Sequence, residues 1–110
     1  ILLTTTGTPK EVKINGADPT RQSGTGPVLP SEVTGIIVND GDFANRVDLN
    51  GVNTTDFTNL QSTVIITTSG GNDTIIGTAF KDSIVSGLGN DWIVPTAGMD
   101  TLWTGEGDDT

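Results

Sequence analysis

The apolar residues of this chain occur in short runs rather than at the three-and-four spacing of an amphipathic helix. Threonine and β-branched residues dominate these runs, and glycine, asparagine or proline interrupts them, as is typical of β-strands joined by turns. Upstream of residue 68 the pattern predicts strands at 1–6, 9–13, 33–38, 46–49 and 63–67. A single helical turn, started by Asp56, is expected within residues 53–60.

The second half of the chain repeats every nine residues. An aspartate occupies one position of the repeat five times without a slip, at Asp73, Asp82, Asp91, Asp100 and Asp109. An aliphatic residue occupies a second position with the same period, at Ile66, Ile75, Ile84, Ile93 and Leu102. Two periods locked in register indicate a repeat architecture.

Each nine-residue unit contains what a tight turn and a short strand require. A glycine stands two residues before most of the aspartates and accepts the positive φ of a tight turn. The residues around each aliphatic position then form a short strand with one side chain pointing inward. Because two units make one turn of a flattened coil, unit n stacks in parallel on unit n+2. The pattern predicts an all-β fold in which an irregular N-terminal β region leads into a parallel β-roll, a β-solenoid of nonapeptide repeats.

The organisation expected from this pattern is two regions in one folded unit. Residues 1–60 form the N-terminal β region, which contains a loop at 18–30 rich in Gly, Pro, Ser and Thr. A turn is predicted at Asn15-Gly16 and another at 39–42, where the sequence resembles the start of an EF-hand loop but lacks the later ligands. Residues 61–110 form the roll.

The acidic charge of the chain is concentrated in the repeats. The net charge is −9; residues 1–55 hold four basic and six acidic groups (−2), and residues 56–110 hold one basic and eight acidic groups (−7). This distribution disfavours nucleic acid and anionic lipid as partners and favours cations. The chain has no cysteine and no histidine, so that disulfides, thiol or histidine-assisted catalysis and the usual zinc sites are excluded. No catalytic constellation is visible, and the protein is not expected to be an enzyme. No apolar run is long enough to span a bilayer.

Three segments of the repeat share one glycine-rich motif that ends in an aspartate. They are Ser69-Gly70-Gly71-Asn72-Asp73, Ser86-Gly87-Leu88-Gly89-Asn90-Asp91 and Thr104-Gly105-Glu106-Gly107-Asp108-Asp109. Residues 68–110 resemble the RTX (repeats-in-toxin) family of calcium-binding β-rolls, whose unit is Gly-Gly-x-Gly-x-Asp-x-apolar-x. The resemblance implies Ca²⁺ as the bound ion, with carboxylate oxygens from the aspartates and carbonyl oxygens from the glycine positions. The implied metal ligands are Gly71, Asp73, Gly87, Gly89, Asp91, Gly105, Gly107 and Asp109.

Alternate units depart from the family pattern. Phe80 replaces a glycine and Lys81 adjoins Asp82, while Pro95 opens the unit that ends at Asp100. Because unit n stacks on unit n+2, the good and the poor units fall on opposite edges of the roll. Two calcium ions are therefore expected on one edge, between the turns of Asp73 and Asp91 and between those of Asp91 and Asp109. On the other edge Lys81 is expected to neutralise Asp82. The alternative is a metal-free solenoid whose aspartates cap turns through hydrogen bonds to the backbone.

Apolar residues also occupy positions that should point outward, at Ile76, Val85, Trp92, Val94 and Trp103. Either residues 1–60 cover one face, or another copy or a partner does. The segment from Ile1 to Thr6 is suited to add as a strand to the open C-terminal edge of another copy, and such head-to-tail contacts build filaments.

The function expected from these features is that of a secreted, extracellular and bacterial calcium-binding structural protein, such as a self-assembling subunit of a fibre, a surface layer or a matrix, or an adhesive protein. Two alternatives stay open. One is a calcium-binding module that supports folding and secretion of a larger toxin, enzyme or adhesin. The other is a carbohydrate-binding module with Trp92 or Trp103 as its platform.

Overall fold

A computed structural model describes residues 1–6, 11–14 and 26–110 of the chain, which form strands, turns and one short 3-10 helix. The 3-10 helix η1 is Pro30–Glu32. The strands are β1 (Leu3–Thr6), β2 (Glu11–Ile14), β3 (Ile37–Asn39), β4 (Arg46–Asp48), β5 (Val64–Thr67), β6 (Thr74–Ile76), β7 (Asp82–Val85), β8 (Trp92–Val94) and β9 (Thr101–Trp103).

The predicted parallel β-roll is confirmed. One sheet has the order β3-β5-β7-β9 and the other has the order β4-β6-β8, and every neighbouring pair within them is parallel. Within the repeats the register is 18 residues, as in Ile66↔Ile84 and Ile75↔Ile93. This is the n-to-n+2 stacking that the nine-residue period predicts.

The aliphatic positions of the repeat point between the two sheets. Ile66, Ile75 and Ile84 are fully buried, and Ile93 is nearly so. Leu102, predicted as the fifth core residue, is instead 38% exposed. It lies on β9, the last strand of the stack, and no described strand follows it in either sheet, whereas Ile93 on β8 is followed by β9.

Both sheets begin upstream of the repeats. The strands β3 and β4 continue the stack with a register of 28 residues, as in Val38↔Ile66 and Val47↔Ile75. The ten extra residues belong to the connection 49–63, which supplies four buried apolar side chains to the core: Leu49, Val52, Phe57 and Leu60.

The helical turn expected within this connection starts at a different residue. Asn53, rather than Asp56, begins it, because the Asn53 Oδ1 atom accepts the N–H groups of Thr55 and Asp56. The N–H of Phe57 then donates to the Asn53 carbonyl. An asparagine at this position caps the turn in the way of a helix N-cap.

The N-terminal segment forms a hairpin and also joins the roll. β1 pairs antiparallel with β2, and Leu2 forms a parallel bridge to Asp48, the last residue of β4. The predicted strands 1–6 and 9–13 correspond to these two elements. The turn predicted at Asn15-Gly16 and most of the predicted loop 18–30 lie outside the described residues. No helix in the described part of the chain is long and apolar enough to cross a membrane.

Candidate metal centre

Four turns stack along one edge of the roll. The turns 68–73, 86–91 and 104–109, here called the aspartate edge, connect the four-stranded sheet to the three-stranded sheet or follow β9. The turn 40–45, here called the upstream turn, precedes them in the stack. Backbone hydrogen bonds join neighbouring turns, as from Gly71 N–H to the Leu88 carbonyl and from Gly89 N–H to the Glu106 carbonyl.

The aspartates of these turns form a ladder through one carboxylate oxygen each. Asp91 Oδ1 accepts the N–H of Asp73 at 2.8 Å, and Asp109 Oδ1 accepts the N–H of Asp91 at 2.9 Å. Asp73 Oδ1 accepts the N–H of Asn45 in the upstream turn at 2.9 Å. Each carboxylate therefore reaches back toward the turn that precedes its own.

The second carboxylate oxygen of two of these aspartates has no partner among the protein atoms. Asp73 and Asp91 are each 2% exposed, and the Oδ2 atom of each is buried without a hydrogen bond. A buried unpaired carboxylate oxygen is costly because it loses its hydration and gains nothing in return. Two such atoms at equivalent positions of successive turns are what a cation bound between the turns would satisfy.

The glycines allow the backbone carbonyls of successive turns to approach closely. Gly89 has φ 123°, and a methyl group placed on it would collide with the Gly71 carbonyl oxygen. The same relation holds between Gly107 and the Gly89 carbonyl, and between Gly105 and the Gly87 carbonyl. A side chain at these positions would occupy the space beside the stacked carbonyls.

This donor set fits Ca²⁺. The available ligands are carboxylate and carbonyl oxygens, which are the hard donors that calcium prefers. No group of three or more acidic side chains in the described ranges is placed to hold a metal ion. The other hard donors on this edge are the carbonyl oxygens that stack closely at the glycines.

The opposite edge of the roll satisfies its aspartate in another way. Asp82 is fully buried, and it receives the N–H of Thr78 on Oδ2 at 2.8 Å and the Thr78 hydroxyl on Oδ1 at 2.7 Å. Lys81, expected to neutralise it, is exposed, and Thr78 supplies the hydrogen bonds instead. Burial raises the pKa of Asp82; the Thr78 hydrogen bonds oppose this rise, and the charge of Asp100 adds to it.

The predicted ligand residues fall on one edge, where the glycines form two columns and the aspartates form a third. Gly71, Gly89 and Gly107 stack on one another, and Gly87 and Gly105 stack on Ser69. The sequence prediction did not include the asparagine ladder of this edge. Asn72 Oδ1 accepts the N–H of Asn90, and Asn90 Oδ1 accepts the N–H of Asp108. Its only sequence signal is the Asn-Asp pair that two successive good units share.

Comparison with known proteins gives one match. The family model of the RTX calcium-binding nonapeptide repeat matches residues 67–98 and 94–110, with four copies. These residues contain all three turns of the aspartate edge. No curated protein and no solved structure matches the chain.

Proposed function

We propose that this chain is a secreted structural module whose roll is stabilised by Ca²⁺ on the aspartate edge, because residues 67–110 match the family model of the RTX calcium-binding nonapeptide repeat, whose repeats bind calcium. The buried, unpartnered Oδ2 atoms of Asp73 and Asp91 carry this proposal. RTX repeats form a structural calcium-binding β-roll rather than a catalytic module. Proteins that contain them are typically secreted.

The proposed ligands are the carboxylates of Asp73, Asp91 and Asp109 and the carbonyls at the glycine positions. Neighbouring strands lie about 4.8 Å apart, which sets the spacing of the stacked carboxylates. Two negative charges at this distance repel by about 3 kcal/mol at an effective dielectric constant of 20. When bound, the ion supplies positive charge and oxygen coordination between the turns. The residues of the chain supply the ladder that fixes where the carboxylates stand.

Calcium binding is thereby linked to folding. The unfolded chain does not hold the carbonyls of separate turns together, so the ion favours the folded roll by mass action. Extracellular calcium modules bind with dissociation constants of about 10⁻⁴ to 10⁻³ M. Such a module is folded outside the cell, where calcium is abundant, and is loose in the calcium-poor cytosol.

A calcium titration followed by far-UV circular dichroism, with reversal by EGTA, tests this function. Asp91→Asn keeps an oxygen for the N–H of Asp73 but removes the charge from the centre of the edge. Asp82→Asn is the matched control, because it removes an equally buried charge from the opposite edge. We expect the wild type and Asp82→Asn to gain β signal with calcium and Asp91→Asn to respond only at roughly tenfold higher calcium, since a charged ligand contributes more than 1 kcal/mol.

The proposal fails if the wild-type spectrum is the same in EGTA and in millimolar calcium and no ion is bound. It also fails if Asp91→Asn and Asp82→Asn shift the calcium response equally. In either case the aspartates serve as turn residues of a metal-free solenoid.

The proposed function also includes the association of one copy of the chain with another. The outermost strand β9 carries Leu102, and Trp103 is 57% exposed beside it, which favours contact with another copy. Ile1 and Leu2, expected to add to such an edge, pair within the chain at the β4 side. Sedimentation velocity in calcium should therefore detect an assembly that Trp103→Ser weakens, and a monomer at all concentrations would contradict it. Trp92 lies on the three-stranded sheet and Trp103 on the four-stranded sheet, so that a carbohydrate-binding site would use one tryptophan alone.

A further inference from the structure

The upstream turn has the backbone of an RTX turn although it lies outside the family match. Each of its residues corresponds to the residue 28 positions later, so Phe43 aligns with Gly71 and Asn45 with Asp73. Phe43 N–H donates to the Gly70 carbonyl just as Gly71 N–H donates to the Leu88 carbonyl. Likewise, the Asp40 N–H donates to the Thr67 carbonyl, and the Thr68 N–H donates to the Val85 carbonyl.

Phe43 adopts a conformation that side chains avoid. Its φ is 145°, in the same left-handed range as the glycines at the equivalent position of the next turns. Its ring is 85% exposed, so packing of the ring does not account for this conformation. Backbone strain of this kind costs about 1–3 kcal/mol and clusters at functional sites. The strain places the Phe43 carbonyl against Gly71, as the Gly71 carbonyl stands against Gly89.

The gap between the upstream turn and turn 68–73, here called the first gap, has a carboxylate of its own. The Asp73 carboxylate reaches back into it, because its Oδ1 accepts the Asn45 N–H. Its other oxygen, Oδ2, is buried and unpartnered. The ladder thus places Asp73 in the first gap, Asp91 in the gap between turns 68–73 and 86–91, and Asp109 in the gap between turns 86–91 and 104–109.

The upstream turn brings a second carboxylate, that of Asp42, near turn 68–73. It has Asn45 at the position where the following turns have an aspartate. Asp42 is exposed, and its Oδ1 atom lies 3.7 Å from the point where a Cβ on Gly70 of turn 68–73 would stand. Asn45 occupies the aspartate position, and its Nδ2 donates to the Gly41 carbonyl of its own turn at 2.7 Å. Within the described residues no earlier turn stacks on the upstream turn, and a neutral residue is suited to that position.

We infer that the upstream turn and turn 68–73 form a third calcium site in the first gap, with Asp73 and Asp42 as its carboxylates and Phe43 as a carbonyl donor. This inference rests on the proposed function, since it extends the same ladder by one gap. It raises the number of ions from the two expected on the repeats to three.

Equilibrium dialysis of the full chain against calcium, in the presence of excess magnesium, counts the ions. We expect three per wild-type chain. Asp42→Asn should raise the dissociation constant of one ion at least tenfold and leave the other two unchanged. Asp40→Asn is the matched control, because it removes one charge from the same turn while its carboxylate is engaged with the Gly41 N–H.

The outcomes separate this inference from the proposed function. A chain that binds no calcium overturns both. A chain that binds two ions, or three ions with identical isotherms for Asp42→Asn and Asp40→Asn, overturns only the third site.

Phe43 provides an independent test. Phe43→Gly removes the cost of the positive φ, and Phe43→Ala removes the ring but keeps that cost. If the site requires this conformation, Phe43→Gly should bind the third ion about fivefold more tightly than Phe43→Ala, a factor equivalent to strain of about 1 kcal/mol. Equal affinities in the two variants would contradict the role of Phe43 in the site.

Discussion

The two edges of the roll are built from the same repeat, but they satisfy the oxygens of their aspartates differently. On both edges an aspartate accepts the N–H of the aspartate 18 residues earlier, as Asp91 does for Asp73 and Asp100 does for Asp82. The edges differ in the remaining oxygens. Thr78 binds both oxygens of Asp82, whereas the second oxygen of Asp91 has no protein partner. One nearby residue, Thr78, with its two donors thus separates a carboxylate that completes a turn from one that is available to a cation.

The largest effect is expected at Gly89 on the aspartate edge. In Gly89→Ala the new methyl group meets the Gly71 carbonyl at a φ of 123°, and we expect a loss of about 3 kcal/mol in the free energy of unfolding. Urea denaturation in calcium measures it. Gly41→Ala is the control, because nothing lies within 4 Å of its added methyl group. Equal losses in the two variants would contradict the close carbonyl stacking at Gly89.

Thr78→Val should leave Asp82 on the opposite edge with one buried oxygen that has no donor, as Asp91 has on the aspartate edge. The variant keeps the Thr78 N–H bond but leaves Asp82 Oδ1 without its hydroxyl donor, at a cost of about 2 kcal/mol. Thr78→Ser, which retains the hydroxyl, should lose less than about 1 kcal/mol. Thermal unfolding in EGTA compares the two, and a valine variant as stable as the serine variant would show that the hydroxyl is dispensable.

The smallest effect is a pH dependence that arises from Asp82 on the opposite edge. Because burial raises the pKa of Asp82, the folded chain binds that proton more tightly than the unfolded chain does. The stability that this proton contributes is present below the ordinary pKa of an aspartate and is lost as the pH rises through the raised value. In EGTA, acidification from pH 7 should therefore stabilise the wild type relative to Asp82→Asn. Parallel stability curves for the two would contradict the raised pKa.

The nine-residue period was sufficient to predict the roll, its parallel register and the inward residues from Ile66 to Ile93. It did not reveal that the turn predicted at 39–42 stacks on the repeats, because the ten extra residues in 49–63 break the period. The remaining signal was the nine-residue spacing of Val38 and Val47, which equals that of Ile66 and Ile75.

The nine-residue pattern did not predict which residue donates hydrogen bonds to each buried aspartate. Lys81 adjoins Asp82 in sequence, but its side chain is exposed, and Thr78 reaches the carboxylate because the connection 77–81 folds back over it. The exposure of Leu102 likewise depends on its place in the stack and not on its own unit. Neither property is encoded in the residue types of a single repeat.

The 18-residue register gives the aspartate edge the character of a linear lattice in which each turn couples only to its two neighbours. In such a lattice a defect at an interior point divides the array, whereas a defect at an end shortens it by one step. Asp91 is an interior point because it joins both Asp73 and Asp109 through the ladder. Its loss interrupts cooperativity along the whole edge, and the loss of Asp109 removes only the final step.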